Sequence, residues 1–205
     1  MIDPLGGWPY IWPLLLGAAI AYVIGSIPFG LLLTRAFGLG DIRKIGSGNI
    51  GATNVLRTGR KGLAAATLIL DIAKGFAAVV LGWHFGGPDL AVLAAYGALI
   101  GHCFPIWLKF KGGKGVATFL GVAAGLAWPL GAAAAAAWLI AAAATRISSV
   151  GGLAAALAAP IAAAALGDRQ FLEATAAMAL LVWARHWLNI LRLFQGKEPK
   201  IGAGR

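Results

Sequence analysis

The stretch that decides the fold class lies at residues 63–83 and reads LAAATLILDIAKGFAAVVLGW. It is apolar apart from Asp71 and Lys74, and it has the length of roughly 20 residues that an α-helix needs to cross the hydrocarbon core of a bilayer. Six more apolar stretches surround it: Trp12–Thr34, Leu90–Leu108, Val116–Trp128, Leu130–Thr145, Val150–Leu166 and Phe171–Leu191. The pattern predicts an all-α, polytopic integral membrane helical bundle.

The composition supports this class. Hydrophobic residues make up 60% of the 205 residues and charged residues 12%, whereas soluble domains carry about 25% charged residues. We interpret residues 1–205 as one integral membrane domain. The first apolar stretch is expected to be a retained span, because no Lys or Arg precedes Arg35 and the stretch exceeds a signal-peptide core. The single Cys103 excludes an internal disulfide and offers no metal-ligand spacing.

The run Val116–Thr145 has two interpretations, one long kinked helix or two short spans that turn at Trp128 and Pro129. The positive-inside rule favours two spans. With two spans, Arg169 is the single basic loop residue outside. With one span, ten basic loop residues lie on one side of the membrane and six on the other. We therefore predict seven transmembrane helices with the N-terminus outside and the C-terminus cytoplasmic, the two short spans being accommodated by tilt or local thinning. The cytoplasmic basic residues are then Arg35, Arg43, Lys44, Arg57, Arg60, Lys61, Lys109, Lys111, Lys114, Arg146, Arg185, Arg192, Lys197, Lys200 and Arg205.

The net charge of +10 has ordinary causes in topology and in attraction to anionic headgroups. A nucleic-acid partner is not expected, because the basic residues sit in short loops next to the membrane and no domain is large enough to present a groove.

The loop at residues 38–61 is polar and glycine-rich, and its centre, residues 46–57, reads GSGNIGATNVLR. It contains a G-x-G-x-x-G pattern, but no strand precedes it and there is no room for a βαβ unit, which excludes a dinucleotide site. Glycines let backbone N–H groups turn toward an anion, and Arg57 adds a charged fork. The segment predicts a phosphate-binding loop, with further donors from Ser47, Asn49, Thr53 and Asn54. The alternative is a flexible turn whose Ser, Thr and Asn residues cap helices.

A second segment, KGGKGVAT at residues 111–118, leads into an apolar helix on the same side. It is not a Walker A loop, in which Ser or Thr follows the Lys directly and a strand precedes. A glycine turn at a helix N-terminus nevertheless offers free N–H groups and the positive end of the helix dipole. The segment predicts an anion site, and for Lys114 the roles of membrane anchor and ligand both stay open.

A third segment, RHWLNILR at residues 185–192, closes the last predicted helix. His186 and Asn189 are three residues apart and share one helical face. An imidazole can accept a proton or bond to a phosphate, and Asn189 can hold a hydroxyl or orient the ring. The alternative for His186, beside Trp187, is an interfacial anchor.

Two other polar pairs are interpreted as structural. Asp71 and Lys74 are three residues apart within a span, where charges are expensive unless paired, and this spacing predicts an intrahelical ion pair. His102 and Cys103 are adjacent on a helix, so they point to different sides and make a poor base and nucleophile.

Together the three segments, here called the first motif (residues 46–57), the second motif (residues 111–118) and the third motif (residues 185–192), resemble the bacterial acyl-phosphate:glycerol-3-phosphate acyltransferase family (PlsY). The resemblance covers nearly the whole chain. It rests on residues 46–57, on residues 112–118, and on HWLNI at residues 186–190 followed by Gly196-Lys197-Glu198. The resemblance implies a seven-helix protein of the bacterial cytoplasmic (inner) membrane with its active site facing the cytoplasm. It also implies the reaction, which is transfer of a fatty acyl group from acyl phosphate to the sn-1 hydroxyl of glycerol 3-phosphate. The products are lysophosphatidic acid, a phospholipid precursor, and phosphate.

Carried over by position, the resemblance implies the site residues. The catalytic group is Ser47, Arg57, Lys114, His186 and Asn189. The substrate-binding group is Gly48, Asn49, Thr53, Asn54, Gly112, Gly113, Gly115, Thr118 and Ser149. Gly151 and Gly152 stand where the family can place another Ser, so the choice between Ser148 and Ser149 stays open. No metal or organic cofactor is implied; the partners are the two substrates and membrane lipids, and we expect a monomer.

Two other functions are considered beside this one. An organic-phosphate transporter would also need basic residues and helix ends, but transporter sites lie near the bilayer midplane at broken helices of repeated halves. Here the polar segments gather at one face and no convincing internal repeat is visible. A scaffold for other lipid enzymes would leave three anion-binding segments without a purpose.

Overall fold

The computed structural model describes residues 7–202, and Arg205, counted above among the cytoplasmic charges, lies outside them. The described residues form helices and no strand, which confirms the all-α prediction. The α-helices are α1 Gly7–Gly25, α2 Phe29–Ala36, α3 Ala52–Leu56, α4 Lys61–Cys103, α5 Val116–Leu126, α6 Trp128–Thr145, α7 Ser148–Ala165, α8 Arg169–Arg185 and α9 Trp187–Phe194, with 3₁₀ turns at Ile42–Lys44 and Ile106–Leu108.

Four helical segments of the described chain are long and apolar enough to cross a membrane: Gly7–Ala36, Lys61–Leu108, Trp128–Thr145 and Ser148–Ala165. The second of these is long enough for two crossings at roughly 20 residues each. The predicted membrane-protein class is therefore confirmed, while the count of seven spans stays a prediction.

Helix α4 is a hairpin of two packed halves. Gly86 and Gly87 have non-helical backbone angles, and Pro88 follows them. A Cβ atom at Gly82 would lie 2.7 Å from the Cα of Ala91, so the two halves pack back to back after the turn. This agrees with the separate apolar stretches predicted before and after residues 84–89.

The run after the second motif is also divided, as predicted, into two helices. Ala127 is extended, with φ −155° and ψ 134°, and it separates α5 from α6. The break precedes the expected turn because Pro129 lies in the first turn of α6, where the missing N–H is tolerated. Helix α5 has 11 residues and is therefore only about 16 Å long.

Two stretches predicted as continuous spans are broken, and that part of the prediction is wrong. The first breaks between α1 and α2 at Pro28, which has no N–H to donate. Trp107 Nε1 donates to the carbonyl of Ser26 over 2.7 Å, and Lys74 Nζ donates to the carbonyl of Ile27 over 2.9 Å. These bonds satisfy backbone groups that the apolar surroundings would otherwise leave without partners.

The second broken stretch divides at His186, between α8 and α9. No Pro or Gly marks this position in the sequence. His186 has φ −97° and ψ 7°, a backbone conformation outside the helical region, so the chain turns there. Helix α9 is therefore an element separate from α8.

Small residues let the helix backbones approach closely. A Cβ atom at Gly97 would lie 2.5 Å from the carbonyl oxygen of Ala18, so α1 lies against the second half of α4. A Cβ atom at Gly75 would lie 2.6 Å from the carbonyl oxygen of Thr118, so α5 lies against the first half. These contacts fix the ends of α4 and α5 that carry the first two motifs.

The opposite end of the bundle is held by Asp89. Its carboxylate accepts hydrogen bonds from the Tyr10 hydroxyl and from Gln170 Nε2, each over 2.8 Å. The three residues come from α1, from the second half of α4 and from α8. This cluster lies by the α4 turn, away from the three motifs.

Candidate active site

The first motif is a folded loop organised by Asn54. This side chain is 2% exposed, and its Nδ2 donates to the carbonyls of Ile42, Ile45 and Asn49 over 2.9, 3.1 and 2.8 Å. Its Oδ1 accepts from the backbone N–H of Ser47 over 3.2 Å. The side chain of Asn49 accepts from the N–H of Gly51 over 2.9 Å. Both amides predicted to bind substrate are therefore engaged in shaping the loop.

Arg57 lies across the same loop. Gly46 has φ +57°, and a Cβ atom there would lie 2.7 Å from both Cδ and Nη1 of Arg57. Gly48 has φ +69°, and Ser47 between the two glycines is exposed. A glycine at position 46 thus leaves room for the guanidinium to lie on the backbone.

A cavity of about 350 Å³ opens beside Arg57. Its lining combines residues of the first motif with the start of α7 and the C-terminal tail: Thr53, Leu56, Arg57, Gly59, Lys61, Ser148, Pro199, Lys200, Ile201 and Gly202. Thr53 and Ser148 join across it, with their hydroxyl oxygens 3.0 Å apart. Every charged residue of the lining is basic, which suits an anionic ligand.

The second motif is held by its own backbone and by Arg185. The N–H groups of Gly112 and Gly113 donate to the carbonyls of Cys103 and His102 over 3.2 and 3.0 Å. Arg185 donates to the carbonyl oxygens of the same two glycines over 3.3 and 3.2 Å. The expected role of these two N–H groups as free anion donors is not met, because protein carbonyls already accept from them.

Free donors of the second motif lie further along the chain. Gly115, with φ +89°, precedes α5, and the first bond of the helix runs from Phe119 N–H to the Gly115 carbonyl. The preceding N–H groups of the first helical turn therefore have no partner within the helix. Thr118 is fully buried and packs against Gly75 of α4, so its hydroxyl does not face the open cavity.

Lys114 stands where charges from all three motifs meet. Burial lowers the pKa of its ammonium to about 8. The carboxylate of Glu198 raises this pKa, whereas the guanidinium groups of Arg192, Arg57 and Arg185 lower it. Lys114 is thus surrounded by more positive than negative charge.

His186 presents a defined ring nitrogen. The residue is 2% exposed, and its Nδ1 lies 2.7 Å from the carbonyl oxygen of Val182. Because a carbonyl only accepts, Nδ1 donates, and the Nε2 of a neutral ring is left as an acceptor. A Cβ atom at Gly152 would lie 3.2 Å from that Nε2. A Cβ atom there would also lie 2.7 Å from Val116, so the glycine lets α7 pack closely against the imidazole.

Glu198 connects the third motif to α7. Its Oε1 accepts from Ser149 Oγ over 2.8 Å and from Asn189 Nδ2, and its Oε2 accepts from Arg192 Nε over 2.7 Å. Burial raises the pKa of Glu198, but these donors outweigh burial and the net pKa lies below the usual value.

Glu198 follows the third motif in the sequence, and no role was predicted for it. The available signal was one acidic residue in a tail that otherwise carries Arg192, Lys197 and Lys200. Both candidate serines have contacts in the structure, Ser149 with Glu198 and Ser148 with Thr53. These contacts place both serines beside the motifs. Arg185, interpreted above only as a topology charge, contacts the second motif.

Comparison with known proteins finds relatives along nearly the whole chain. A family model described as glycerol-3-phosphate acyltransferase matches residues 15–196. A curated glycerol-3-phosphate acyltransferase of Mesorhizobium japonicum is 57% identical over 190 residues, covering 93% of this chain and 97% of the relative. One of Nitrobacter winogradskyi is 54% identical over 189 residues, covering 92% and 96%.

Two solved structures are similar along 93% of this chain and 96% of theirs. Both are crystal structures of PlsY, an integral membrane glycerol 3-phosphate acyltransferase. The glycerol 3-phosphate form has 32% identity and a TM-score of 0.88, and the lysophosphatidic acid form has 31% identity and a TM-score of 0.86. With a family match over most of its length and close relatives along nearly all of it, this chain belongs to the glycerol-3-phosphate acyltransferase family.

Proposed function

We propose that this protein transfers a fatty acyl group from acyl phosphate to the sn-1 hydroxyl of glycerol 3-phosphate, releasing lysophosphatidic acid and phosphate. The observation that carries the proposal is the meeting of charges from three motifs at Lys114, whose ammonium is acted on by Arg57, which also lines the basic cavity, and by Arg185 and Arg192. The similar PlsY structures are of glycerol 3-phosphate and lysophosphatidic acid forms, which correspond to the acceptor and the product of such a transfer.

The two phosphates are assigned to the basic side chains and to the start of α5. Arg57 offers a planar fork of donors and Lys114 a point charge. The free N–H groups of the first turn of α5 add the positive end of a helix dipole. Such fixed donors stabilise the charge that grows on the carbonyl oxygen and on the departing phosphate. Ser47, exposed beside Arg57, adds a hydroxyl donor.

The chemistry needs no covalent enzyme intermediate, because acyl phosphate is a mixed anhydride that is already activated. The sn-1 oxygen attacks the acyl carbon and forms the ester bond, and the bond between that carbon and the phosphate oxygen breaks. The hydroxyl proton ends on the released phosphate. His186 Nε2 accepts a hydrogen bond from the attacking hydroxyl, and Asn189 Oδ1 accepts from the neighbouring hydroxyl; orientation of this kind accelerates transfer.

The membrane topology is also part of the proposal. The contacts of α1 and α5 with the two halves of α4 support helices that alternate in direction, with all three motifs at one end. We assign that end to the cytoplasm, with seven spans, the N-terminus outside, and the protein in the bacterial cytoplasmic membrane as a monomer. A water-soluble acceptor and a lipid-soluble donor then meet at the membrane surface.

The first test uses the purified protein in detergent with glycerol 3-phosphate and either acyl phosphate or acyl-CoA. Lysophosphatidic acid and free phosphate are measured, and chromatography separates the sn-1 from the sn-2 product. We expect sn-1 product from acyl phosphate alone. Arg57→Ala and Lys114→Ala should each reduce kcat/KM by roughly 100-fold or more, because each removes a fixed donor that stabilises charge in the transition state.

Matched controls come from basic residues in the same loops. Arg60→Ala and Lys111→Ala remove exposed charges outside the assigned site, and both should stay close to the parent activity. No product from either donor, with protein shown to be folded, would contradict the proposal. Uptake of glycerol 3-phosphate into sealed vesicles without acyl phosphate would instead favour a transporter.

A further inference from the structure

We propose that Asp71, Lys74 and His102, here called the Lys74 cluster, form a positioning device that fixes the first two motifs relative to each other. The proposal rests on the proposed function, because it concerns the distance between the two phosphate-binding segments. None of the three residues is assigned a contact with substrate. Their role follows from their contacts with the α1–α2 break and with the glycine turn of the second motif.

Lys74 reaches well beyond its own helix. Its Nζ lies 2.6 Å from Asp71 Oδ1 in the same helix, which confirms the predicted ion pair. The same Nζ lies 2.9 Å from the carbonyl of Ile27 and 2.9 Å from His102 Nδ1. An ammonium has three hydrogens to donate, and three acceptors surround this one. Both charged side chains are 3% exposed.

The contact with Ile27 leads to the first motif. Ile27 lies in the break between α1 and α2, and α2 begins two residues later at Phe29. A Cβ atom at Gly30 would collide with the carbonyl oxygen of Ile50, so α2 lies directly on the first-motif loop. Lys74 thereby holds the base of the element on which that loop rests.

The contact with His102 leads to the second motif. Because Lys74 donates to Nδ1, the ring hydrogen is on Nε2, and a Cβ atom at Gly113 would collide with that Nε2. The carbonyl of His102 also accepts from the N–H of Gly113 over 3.0 Å. The glycine turn that precedes Lys114 is therefore seated on the imidazole of His102.

An intrahelical ion pair alone would not require these outside contacts. Charge inside a membrane protein is expensive and marks groups that pair or act, and Asp71 already pairs with Lys74. The two additional contacts join the α1–α2 break to the end of α4. Two substrates, each with one phosphate bound at one of these motifs, need this separation fixed, since a displacement of about 1 Å costs about 100-fold in rate.

The test measures the separation directly. Arg60→Cys and Lys111→Cys place two nitroxide labels on exposed positions beside the first and second motifs, and Cys103 stays in place because it is buried. The distance distribution is compared in the parent, in Lys74→Met, and in Asp71→Asn/Lys74→Met. The double variant removes both charges, which avoids the unpaired buried carboxylate that makes single removal destabilising. Lys44→Met is the matched control at an exposed lysine.

We expect the distribution to broaden or shift in both Lys74 variants and to stay narrow in Lys44→Met. In unlabelled protein, kcat should fall about tenfold or more because the reacting groups are misplaced, and KM for glycerol 3-phosphate should change less. An unchanged distribution in the folded double variant would overturn the proposal. If the parent protein lacks acyl transfer, the proposed function fails, while the distance measurement still decides whether the cluster positions the motifs.

Discussion

The environment of Lys114 prepares the site for an anion before substrate arrives. Three guanidinium groups and one carboxylate act on this ammonium, and burial adds to the cost of its charge. A dianionic phosphate reduces that cost, because it supplies the negative charge that the site lacks. The lowered pKa of Lys114 thus follows from burial and from the three guanidinium groups around it.

The pH dependence of the acylation rate should report this pKa. Lys114 has a pKa lowered to about 8, so the ammonium is present below pH 8 and is lost as pH rises through 8. We expect kcat/KM for glycerol 3-phosphate to fall above pH 8, approaching tenfold per pH unit. Steady-state kinetics between pH 6 and 10, with each buffer checked for protein stability, measure the decline.

Two variants assign the decline to Lys114. Lys114→Arg keeps a charge throughout this range, so its kcat/KM, although lower at neutral pH, should lose the alkaline decline. Glu198→Gln removes the carboxylate that raises the pKa of Lys114, so its decline should begin at lower pH. An unchanged alkaline profile in Lys114→Arg would show that another group titrates.

The sequence predicted the main residues of the candidate site but not all of their hydrogen-bond partners. Arg57, Lys114 and His186 were predicted because each lies in a segment rich in glycine or in hydrogen-bonding side chains and because the family resemblance implies all three. The engagement of Gly112 and Gly113 by backbone carbonyls was not visible, because glycine lacks a side chain that could indicate its bonds. Nor could the sequence place Glu198 on Ser149, which lies 49 residues away.

Some helix ends are marked by Gly or Pro in the sequence, and others are visible only in the structure. The turn of α4 is indicated in the sequence by Gly86, Gly87 and Pro88, and the start of α6 is indicated by Pro129. The break at His186 carries no such signal in the sequence. Pro28 was present as a signal, but the apolar run around it concealed the end of α1.

The break between α1 and α2 gives a stability prediction. Trp107→Phe removes the indole N–H that bonds to the carbonyl of Ser26, a residue that is 1% exposed. An unpaired buried carbonyl costs about 1–3 kcal/mol, so the free energy of unfolding should fall by that amount. Thermal unfolding in detergent should show a midpoint lowered by a few degrees.

Trp128→Phe is the matched control. Trp128 is 77% exposed, compared with 50% for Trp107, and the same loss of an indole N–H should change the midpoint little. Equal midpoints for the two variants would show that the Ser26 carbonyl finds another donor.

At the scale of the molecule, the bundle gathers three distant segments of the chain at one end. Sequence reasoning anticipated this from charge alone, because the basic loops must lie on one side if the positive-inside rule holds. Which helices touch, and through which glycines, could not be predicted, because Ala and Gly occur on many faces of these helices. The backbone contacts of α1 and α5 with α4 were therefore found only in the structure.

Labelling of single cysteines from either side of the membrane tests the proposed topology. Lys111→Cys should react with a membrane-impermeant maleimide only after the cells are permeabilised, whereas Arg169→Cys should react in intact cells. Both positions are exposed, and native Cys103 is buried. Labelling of both positions from the same side would rule out seven spans with the N-terminus outside.

The pairing of Asp71 with Lys74 inside one helix has a consequence for biogenesis. Each charge adds about 2.5–3.5 kcal/mol to the insertion of an isolated helix at the bilayer centre. Because the partners are three residues apart on one face, the pair forms as soon as the nascent helix winds. The segment can thus leave the translocon with its charges already neutralised, and the bonds to Ile27 and His102 form only when the neighbouring segments arrive.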